Sequence, residues 1–414
     1  MFRVIKEFFF LLTASQRKRF YVLQAQVIIM AFAEIASIAS IVPFMALIGD
    51  LSILEKDNLL GMLYLQSNLV EPYHFIFYLG IMVLATLTIA ASFSMYVTWR
   101  VSMFTDDFGA EIAHKLYSHY LNQDWLFHTK ESSSNLIKKI SIESNRVTRE
   151  VLLPLMQMNT RIFLISFILL IMLFYNPIIV LVGLIIFSVP YIILFKIVRT
   201  KLQKNGKTLS NMFVERFRLM SDAFGGIKDV LLLGRSSDFK KRFSKTGNKL
   251  AYVQGTNIAI AAVPRFFMEL LAFGSMIALV LYLVKISHGN LGVLLPTLSV
   301  YALAGFKLLP ALQQTYGSIA RIKGNLSAYD SIREDLRNIN TETGVKVETN
   351  NLKWSKYNEI NLKDIIFCYP DKVIPSLKNI SLTIKPNSTV GFIGTSGSGK
   401  STLADVIIGL IKPQ

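Results

Sequence analysis

The sequence is poor in cysteine and in charge. Its single cysteine, Cys368, cannot form an intrachain disulfide, which excludes a disulfide-stabilised secreted scaffold and a metal cluster bound by several thiolates. Only 17% of the residues are charged while 52% are apolar, and the mean hydropathy is +0.45. A chain of this composition is too apolar for a water-soluble protein and far too apolar for a disordered one.

Long apolar runs account for this composition. Six stretches are long enough for a helix to cross ~30 Å of hydrocarbon, which takes about 20 residues. They cover residues 21–48, 74–98, 152–175, 177–198, 257–286 and 291–314. The third and fourth meet at Asn176 and Pro177, a dipeptide typical of a turn, and are expected to form a hairpin. The sequence therefore predicts an all-α bundle of six transmembrane helices.

Lysine and arginine are distributed unevenly around these spans. Residues 1–20, 99–151, 196–256 and 307–414 carry five, seven, fourteen and fourteen of the 44, whereas the opposite side carries only Lys56 and Lys285. Because cationic loops remain on the cytoplasmic side, both termini are predicted to be cytoplasmic. This topology explains the net charge of +17. The basic residues do not form one cluster interleaved with aromatics, so no nucleic-acid partner is expected.

The two longest connections between spans are too long for simple loops. Apolar residues recur at helical spacing in residues 99–151, as at Ile112, Leu116 and Tyr120, and they do so again in residues 196–256. The spans are therefore expected to continue as helices, since about 20 further residues reach ~30 Å beyond the bilayer.

A glycine-rich motif near the C-terminus indicates phosphate binding. Residues 394–402 read Gly394, Thr395, Ser396, Gly397, Ser398, Gly399, Lys400, Ser401 and Thr402, which matches the phosphate-loop pattern of Gly, four residues, Gly, Lys and Ser. The run 389–393 before it is predicted to be a buried strand, and 402–410 a helix. Glycines let backbone amides face phosphate oxygens, the lysine reaches the β- and γ-phosphates, and the Ser401 hydroxyl ligates Mg²⁺. The alternative is a glycine turn that only joins a strand to a helix.

The composition changes after about residue 338. Residues 340–351 are polar and are interpreted as a domain linker, and short strand-like runs follow at 363–369 and 377–384. We therefore expect a membrane domain over residues 1–340 and an incomplete α/β phosphate-loop domain over residues 341–414.

Six spans with long helical extensions, followed by a phosphate-loop domain, resemble the ABC exporter family of half-transporters. The resemblance implies ATP and Mg²⁺ as cofactors, a homodimer that holds ATP between its subunits, and residues 394–402 as the Walker A site. It also implies an aromatic residue stacked on adenine some two dozen positions before the loop, which Tyr369 matches. Tyr369 could instead merely end a strand, but Phe367, in phase with it, can serve as the core residue.

The family also has short coupling helices between spans two and three and between spans four and five, which dock on the nucleotide domains. Residues 132–140 and 224–236 occupy these places, and the second stretch has glycines near both ends and an apolar centre. The alternative for the second stretch is an ordinary amphipathic helix packed against its own bundle.

One external segment carries a narrower resemblance. The loop 50–73 contains the apolar run Leu59 to Leu65, and together with residues 226–235 it is similar to exporters that flip lipid-linked oligosaccharides, which carry a small interfacial helix. An apolar helix at the membrane boundary could engage a polyprenyl tail. A plain loop that packs back on the bundle is the alternative.

Four charged residues lie inside the predicted spans, where an unpaired charge is costly and usually faces a cavity or a partner. Arg265 and Glu269 are four apart and can pair on one helix, and Pro264 is expected to kink that helix. Arg161 has no acidic residue within one turn of its own helix, and Glu34 lies in the first span. Arg161 and Arg265, four arginines in a dimer, are candidates for binding the pyrophosphate of a lipid-linked sugar.

The resemblance implies further elements that do not occur before Gln414, namely the glutamine loop, the signature segment, the acidic strand end with its catalytic glutamate, and the switch histidine. We therefore expect the front portion of a longer protein, without a catalytic base and inactive alone. The intact protein is expected to be an ABC-type ATPase that moves a lipid or lipid-linked oligosaccharide across the bacterial inner membrane. A non-catalytic, truncated permease remnant and, within the family, a peptide or multidrug exporter remain alternatives.

Overall fold

The computed structural model describes residues 13–49, 51–55, 59–67, 71–175, 177–286, 291–341, 359–370 and 372–413. Within these ranges the chain is almost entirely helical, and its strands form one two-stranded sheet near the C-terminus. The predicted linker at 340–351 lies mostly outside the described residues.

Two helices of the first half begin at residues that favour a helix N-terminus. The elements are α1 (Ala14–Ala39), α2 (Ile41–Gly49), a 3₁₀ turn (Leu51–Glu55), α3 (Leu59–Gln66), α4 (Pro72–Leu121), α5 (Trp125–Lys130), α6 (Ser133–Lys138), a π-helical turn (Lys139–Glu143), α7 (Ser144–Val147), a second π-helical turn (Thr148–Leu152) and α8 (Leu153–Tyr175). Before α1, Thr13 and Gln16 form a reciprocal capping box. At α4, Pro72 occupies the first turn, where its missing N–H costs nothing.

The second half continues with two more long helices before the sheet. The elements are α9 (Pro177–Gly225), α10 (Ile227–Leu232), α11 (Ser236–Ala262), α12 (Pro264–Ile286), α13 (Leu291–Thr341), β1 (Ile360–Phe367), β2 (Leu377–Ile384) and α14 (Lys400–Ile407). The kink expected at Pro264 is a break between α11 and α12, because proline cannot donate to the helical ladder.

Membrane-length helices coincide with the predicted spans. Helices long and apolar enough to cross a bilayer cover residues 14–48, 72–121, 133–174, 180–225 and 236–282, and they correspond to the first five predicted spans. The sixth, 291–314, lies on α13, where the side chains of 291–301 and 303 are outside the description. The helices α4, α9 and α13 have 50, 49 and 51 residues. Each is about 75 Å long, more than twice the hydrocarbon thickness, so the predicted helical extensions are confirmed.

Helices α9 and α13 cross at direct backbone contact. A Cβ on Gly206 of α9 would lie 2.5 Å from the carbonyl oxygen of Gly324 of α13, so no larger residue fits there. One turn further on, the hydroxyl oxygens of Ser210 and Ser327 lie 3.4 Å apart. Small residues at such a crossing let two helices approach closely, as in membrane bundles generally.

A charged cluster is buried where the helical extensions meet. Glu143 is fully buried, and its carboxylate lies 2.8 Å from Nη1 of Arg146 and 3.6 Å from Nζ of Lys138. Arg146 also donates to Oδ1 of Asn325 at 3.1 and 3.0 Å, which connects this cluster to α13. Burial lowers the pKa of Lys138 and of Arg146, and Glu143 opposes both shifts.

A second polar contact joins three helices near the end of α13. Oδ2 of Asp335 accepts a hydrogen bond from the Tyr120 hydroxyl at 2.7 Å and one from Nζ of Lys139 at 2.9 Å. Burial, and next the hydrogen bond to Asp335, raises the pKa of Tyr120 above its ordinary value. The two networks hold the extensions of α4, α6 and α13 together.

The C-terminal sheet is smaller than the sequence predicts. Strands β1 and β2 pair antiparallel, with Ile360 opposite Ile384 and Phe367 opposite Leu377, and β2 has its predicted bounds. The buried strand predicted at 389–393 is wrong: this segment is not in a strand, and Ile393 is fully exposed. A strand must satisfy its backbone groups by pairing with a neighbour, and among the described residues β1 and β2 pair only with each other.

Candidate functional site

The phosphate-loop motif forms a tight turn that leads into α14. Gly397 and Gly399 adopt left-handed conformations with φ of +81° and +93°, and Gly399 is the N-cap of α14. At Gly399 a Cβ would lie 2.7 Å from the carbonyl oxygen of Ser376, so the site excludes a side chain for reasons of space as well as φ. The loop and the N-terminus of α14 therefore present backbone amides and the positive end of the helix dipole together.

Lys400 lies over this loop. Its Nζ donates to the carbonyl oxygens of Gly394 at 2.8 Å and Thr395 at 2.7 Å, and lies 3.4 Å from the Ser398 hydroxyl. The ammonium thus lies at the same loop that the motif assigns to phosphate. Ser401, one residue further along α14, is exposed, so its hydroxyl is open to a metal ion.

Tyr369 packs beside the loop rather than standing free. Its ring is half-buried and meets the ring of Phe367 edge-on, with centroids 5.0 Å apart. Phe367 is the buried core residue of the pair. The hydroxyl of Tyr369 lies 3.2 Å from Oγ1 of Thr402, a contact that the sequence did not indicate because 33 residues separate the two. The aromatic residue is thereby positioned against the helix that carries Lys400 and Ser401.

The C-terminal core contacts the bundle at a different place from the one expected. Leu126 of α5 packs on the cluster formed by Leu362, Phe367, Leu377, Val406 and Ile411. The next residue, Phe127, packs on the bundle core and stacks on Tyr120 at 6.0 Å. The expected docking segment 132–140 instead packs Leu136 and Ile140 against the bundle. Ile137 of the same segment is exposed, and docking of this segment on a nucleotide domain stays a prediction.

The second expected docking segment forms a short exposed helix. Residues 227–232 are helical as α10, and Leu231, Leu232 and Leu233 are exposed. The segment ends at Gly234 with a φ of +64°. Three consecutive exposed leucines leave an unpaired apolar surface at this end of the molecule.

Arg161, the first candidate arginine, has an acidic partner on another helix. Its Nη1 lies 3.6 Å from Oε2 of Glu34 on α1, and its Nε donates to Oε1 of Gln314 on α13 at 2.6 Å. The other oxygen of Glu34 accepts from the Ser94 hydroxyl of α4 at 3.2 Å. One network thus links four helices. The sequence located both charges inside spans but could not indicate that they meet.

Arg265, the second candidate, pairs within its own helix. Its Nε lies 2.6 Å from Oε1 of Glu269, the i,i+4 partner that the sequence offered. The side chain of Arg265 is 62% exposed. Nε2 of Gln313 lies 3.5 Å from the same glutamate oxygen, so the adjacent residues Gln313 and Gln314 contact the two arginine–glutamate pairs.

The apolar external segment is a helix, as expected. In α3, Leu60 and Tyr64 pack on a small core, and the Tyr64 ring lies 5.4 Å from that of Phe75. Met62 and Leu63 of the same helix are more than half exposed. The helix therefore packs on the bundle with one side and presents apolar side chains on the other.

The residues present fit a nucleotide phosphate chain with a hard metal ion. The cradle at Gly399 admits no Cβ, the loop carries two left-handed glycines, and a lysine ammonium lies on it. A hydroxyl oxygen such as that of Ser401 is a ligand that suits Mg²⁺. Among the described residues no group of three or more His, Cys, Asp and Glu suited to hold a metal ion is found.

Comparisons with known proteins cover both parts of the chain. The sequence profile of the ABC transporter transmembrane region matches residues 25–307, and the ABC transporter profile matches residues 377–414. ATP-dependent lipid A-core flippases of Escherichia coli K12 and Salmonella typhimurium LT2 are 23% identical over 332 residues, which are 80% of this chain. The same alignment covers 55% of each flippase, so the chain spans about half the length of these curated relatives.

A solved structure shares the fold. A bacterial Atm1-family ABC exporter with ATP bound superposes with a TM-score of 0.68 at 15% identity, over 97% of this chain and 67% of that one. The long helices, the small sheet and the phosphate loop thus have the arrangement of an ABC exporter. Because the transmembrane profile alone spans more than half of the residues, the chain belongs to the ABC transporter family.

Proposed function

We propose that the chain belongs to an ATP-driven exporter, in which residues 1–340 form the membrane domain and residues 341–414 belong to the nucleotide domain, and which moves a phosphorylated, lipid-linked substrate such as a lipid-linked oligosaccharide. It works as a homodimer in the bacterial inner membrane with both termini in the cytoplasm. The observation that carries the proposal is the cradle of Gly397, Gly399 and Lys400 below a bundle of membrane-length helices.

The nucleotide part of the proposal rests on the loop. When bound, ATP with Mg²⁺ would supply the free energy of its hydrolysis to drive transport. The amides of residues 394–400 would hold the phosphates, Lys400 would exchange the carbonyl oxygens of its own loop for phosphate oxygens, and the Ser401 hydroxyl would be a ligand of the metal ion. The Tyr369 ring, held by Phe367 and Thr402, stacks on the base.

Transmission to the membrane follows the contact at α5. Leu126 lies on the C-terminal core while Phe127 lies in the bundle core, so a displacement of one core moves the other. The exposed leucines 231–233 are suited to make a similar apolar contact with the nucleotide domain of a second copy of the chain. Burial of such a patch in a dimer would remove apolar surface from water.

The lipid part of the proposal rests on α3 and on the two arginines. The exposed side of α3, with Met62 and Leu63, suits a polyprenyl chain at the membrane boundary. Arg161 and Arg265 supply guanidinium groups, each of which can donate two parallel hydrogen bonds to two phosphate oxygens. The relatives are described as lipid A-core flippases, and lipid A-core is also a glycolipid, which supports this substrate class.

Nucleotide binding tests the first part. The protein in phosphatidylcholine nanodiscs is titrated with a fluorescent ATP analogue and Mg²⁺, and Lys400→Ala is expected to lower the affinity at least about tenfold, since it removes a charge-assisted contact. Lys412→Ala, an exposed lysine just beyond α14, is the matched control and should bind normally. Equal binding by the two variants would refute the assignment and favour the alternative of a non-catalytic permease remnant.

Lipid binding tests the second part. Radiolabelled undecaprenyl diphosphate is added to the same nanodiscs, and the double substitution Arg161→Gln, Arg265→Gln is expected to abolish its retention. Arg218→Gln, which breaks an exposed ion pair outside the spans, should retain the label. If the wild-type protein does not prefer this lipid to undecaprenol, which lacks phosphate, a peptide or multidrug exporter is the better description.

A further inference from the structure

The two intramembrane ion pairs differ in geometry. Arg265 and Glu269 lie one turn apart on α12 at 2.6 Å, so their contact persists however the helices move. Arg161 and Glu34 belong to α8 and α1, and their closest atoms are 3.6 Å apart. That distance makes an ion pair but exceeds the usual length of ~2.8 Å for a charge-assisted hydrogen bond.

The Arg161 guanidinium is only partly used by its partners. It carries five N–H donors, one of which is directed at Gln314 by the 2.6 Å contact from Nε. Glu34 approaches from the side of Nη1 without the parallel two-point geometry that arginine forms with carboxylate or phosphate. The Arg161 side chain is 28% exposed and that of Glu34 is 13% exposed, so the pair can be reached from outside the core.

Glu34 also has a second partner that can hold it away from the arginine. Its Oε1 accepts a hydrogen bond from the Ser94 hydroxyl of α4 at 3.2 Å. If an anion took the place of the carboxylate at Arg161, Glu34 would keep this hydrogen bond but lose its cationic partner, so only an anion that binds Arg161 more strongly can displace it. The exchange of one anion for another leaves Arg161 paired with a negative charge.

We propose that Glu34 is a specificity-determining residue, whose carboxylate occupies Arg161 as an internal anion until a phosphorylated lipid headgroup displaces it. The inference rests on the proposed function, since it needs an anionic lipid as the ligand. Glu34 thereby discriminates among anions: a weak anion, which does not make the two-point contact, cannot displace the carboxylate from the guanidinium.

Binding of undecaprenyl diphosphate to the full chain in phosphatidylcholine nanodiscs tests this. Glu34→Gln keeps the shape and the contact with Ser94 but removes the competing charge, so the affinity is expected to rise about tenfold. Arg161→Gln is expected to lose most of the binding. The double variant should behave like Arg161→Gln, because the gain from Glu34→Gln depends on Arg161.

Two controls separate a local effect from a general one. Glu71→Gln removes a carboxylate at the N-cap of α4, where it forms an exposed pair with His74 at 3.7 Å, and it should bind as the wild type does. Undecaprenol should bind equally to all variants, since it carries no phosphate. Gel filtration and thermal unfolding of each variant report whether it is folded.

The outcomes distinguish the inference from the function on which it rests. Binding that depends on Arg161 but is not raised by Glu34→Gln overturns the inference and leaves the proposed function standing. A gain that persists in the double variant, or that Glu71→Gln reproduces, overturns it as well. Absence of binding in the wild type and in every folded variant overturns both.

Discussion

The hydroxyl of Tyr369 lies 3.2 Å from Oγ1 of Thr402, so the residue expected to stack on adenine is hydrogen-bonded to the helix of the phosphate loop. The ring also meets Phe367 edge-on at 5.0 Å. The ring is held by the hydrogen bond of its hydroxyl to Thr402, by the edge-on contact with Phe367, and by Nζ of Lys372, which lies 5.6 Å from the ring centroid. The base-binding and phosphate-binding parts of the candidate site are one unit.

Two substitutions of Tyr369 distinguish the contribution of its ring to nucleotide binding from that of its hydroxyl. Tyr369→Ala removes the stacking surface and is expected to weaken binding of a fluorescent ATP analogue about tenfold, since stacking of a base on an aromatic ring contributes ~1–3 kcal/mol. Tyr369→Phe loses only the contact with Thr402 and should stay within about threefold of the wild type, the cost of a single neutral hydrogen bond. Equal losses in the two variants would show that the hydroxyl, not the ring face, contributes the affinity.

Substitution of Gly399 tests the cradle. Gly399→Ala forces a Cβ to 2.7 Å from the Ser376 carbonyl oxygen at a φ of +93°, so it is expected to abolish nucleotide binding and to lower the thermal midpoint. Gly391→Ala is the matched control, because no atom lies within 4 Å of its Cβ position. Normal binding by Gly399→Ala, measured by the same titration, would contradict the structure of the loop.

The buried Glu143 is expected to matter for stability far more than an exposed glutamate. Glu143→Gln leaves Lys138 and Arg146 buried with reduced compensation, at a cost of about 3 kcal/mol. Glu215→Gln breaks solvent-accessible pairs with Arg218 at 2.8 Å and Arg242 at 3.5 Å and should cost under about 1 kcal/mol. Thermal unfolding in detergent, followed by circular dichroism, measures both. A larger effect at Glu215 would contradict the arrangement of the buried cluster.

Two glycines of α9, Gly206 at the crossing with α13 and Gly183 away from it, allow the cost of an added Cβ to be compared within one helix. Gly206→Ala meets the Gly324 carbonyl oxygen at 2.5 Å, so α9 and α13 must separate, and we expect a loss of roughly 1–3 kcal/mol. Gly183→Ala lies on the same helix with no atom within 4 Å and is expected to be neutral or slightly stabilising, because alanine favours helix over glycine by about 1 kcal/mol. Equal thermal midpoints for the two variants would show that the helices do not touch there.

Contacts between distant segments limited what the sequence could predict about the candidate site. The run 389–393 is apolar enough for a buried strand, yet Ile393 is exposed because a strand depends on neighbours that local composition does not reveal. Glu34 and Arg161 are each recognisable as intramembrane charges, but their meeting depends on how α1 packs against α8. The contact of Leu126 with the C-terminal core likewise depends on the packing of distant segments.

The amino-acid sequence alone determined the membrane-length helices, their extensions, the turn at Pro264 and the phosphate-loop motif, because each depends on apolar length, helical periodicity or the conformational freedom of glycine within a few residues. Only the tertiary structure decided that Glu34 pairs with Arg161, that Gly206 touches Gly324, and that Tyr369 is bound to Thr402. These contacts join residues between 33 and 127 positions apart, and they follow from the packing of whole helices rather than from any local preference.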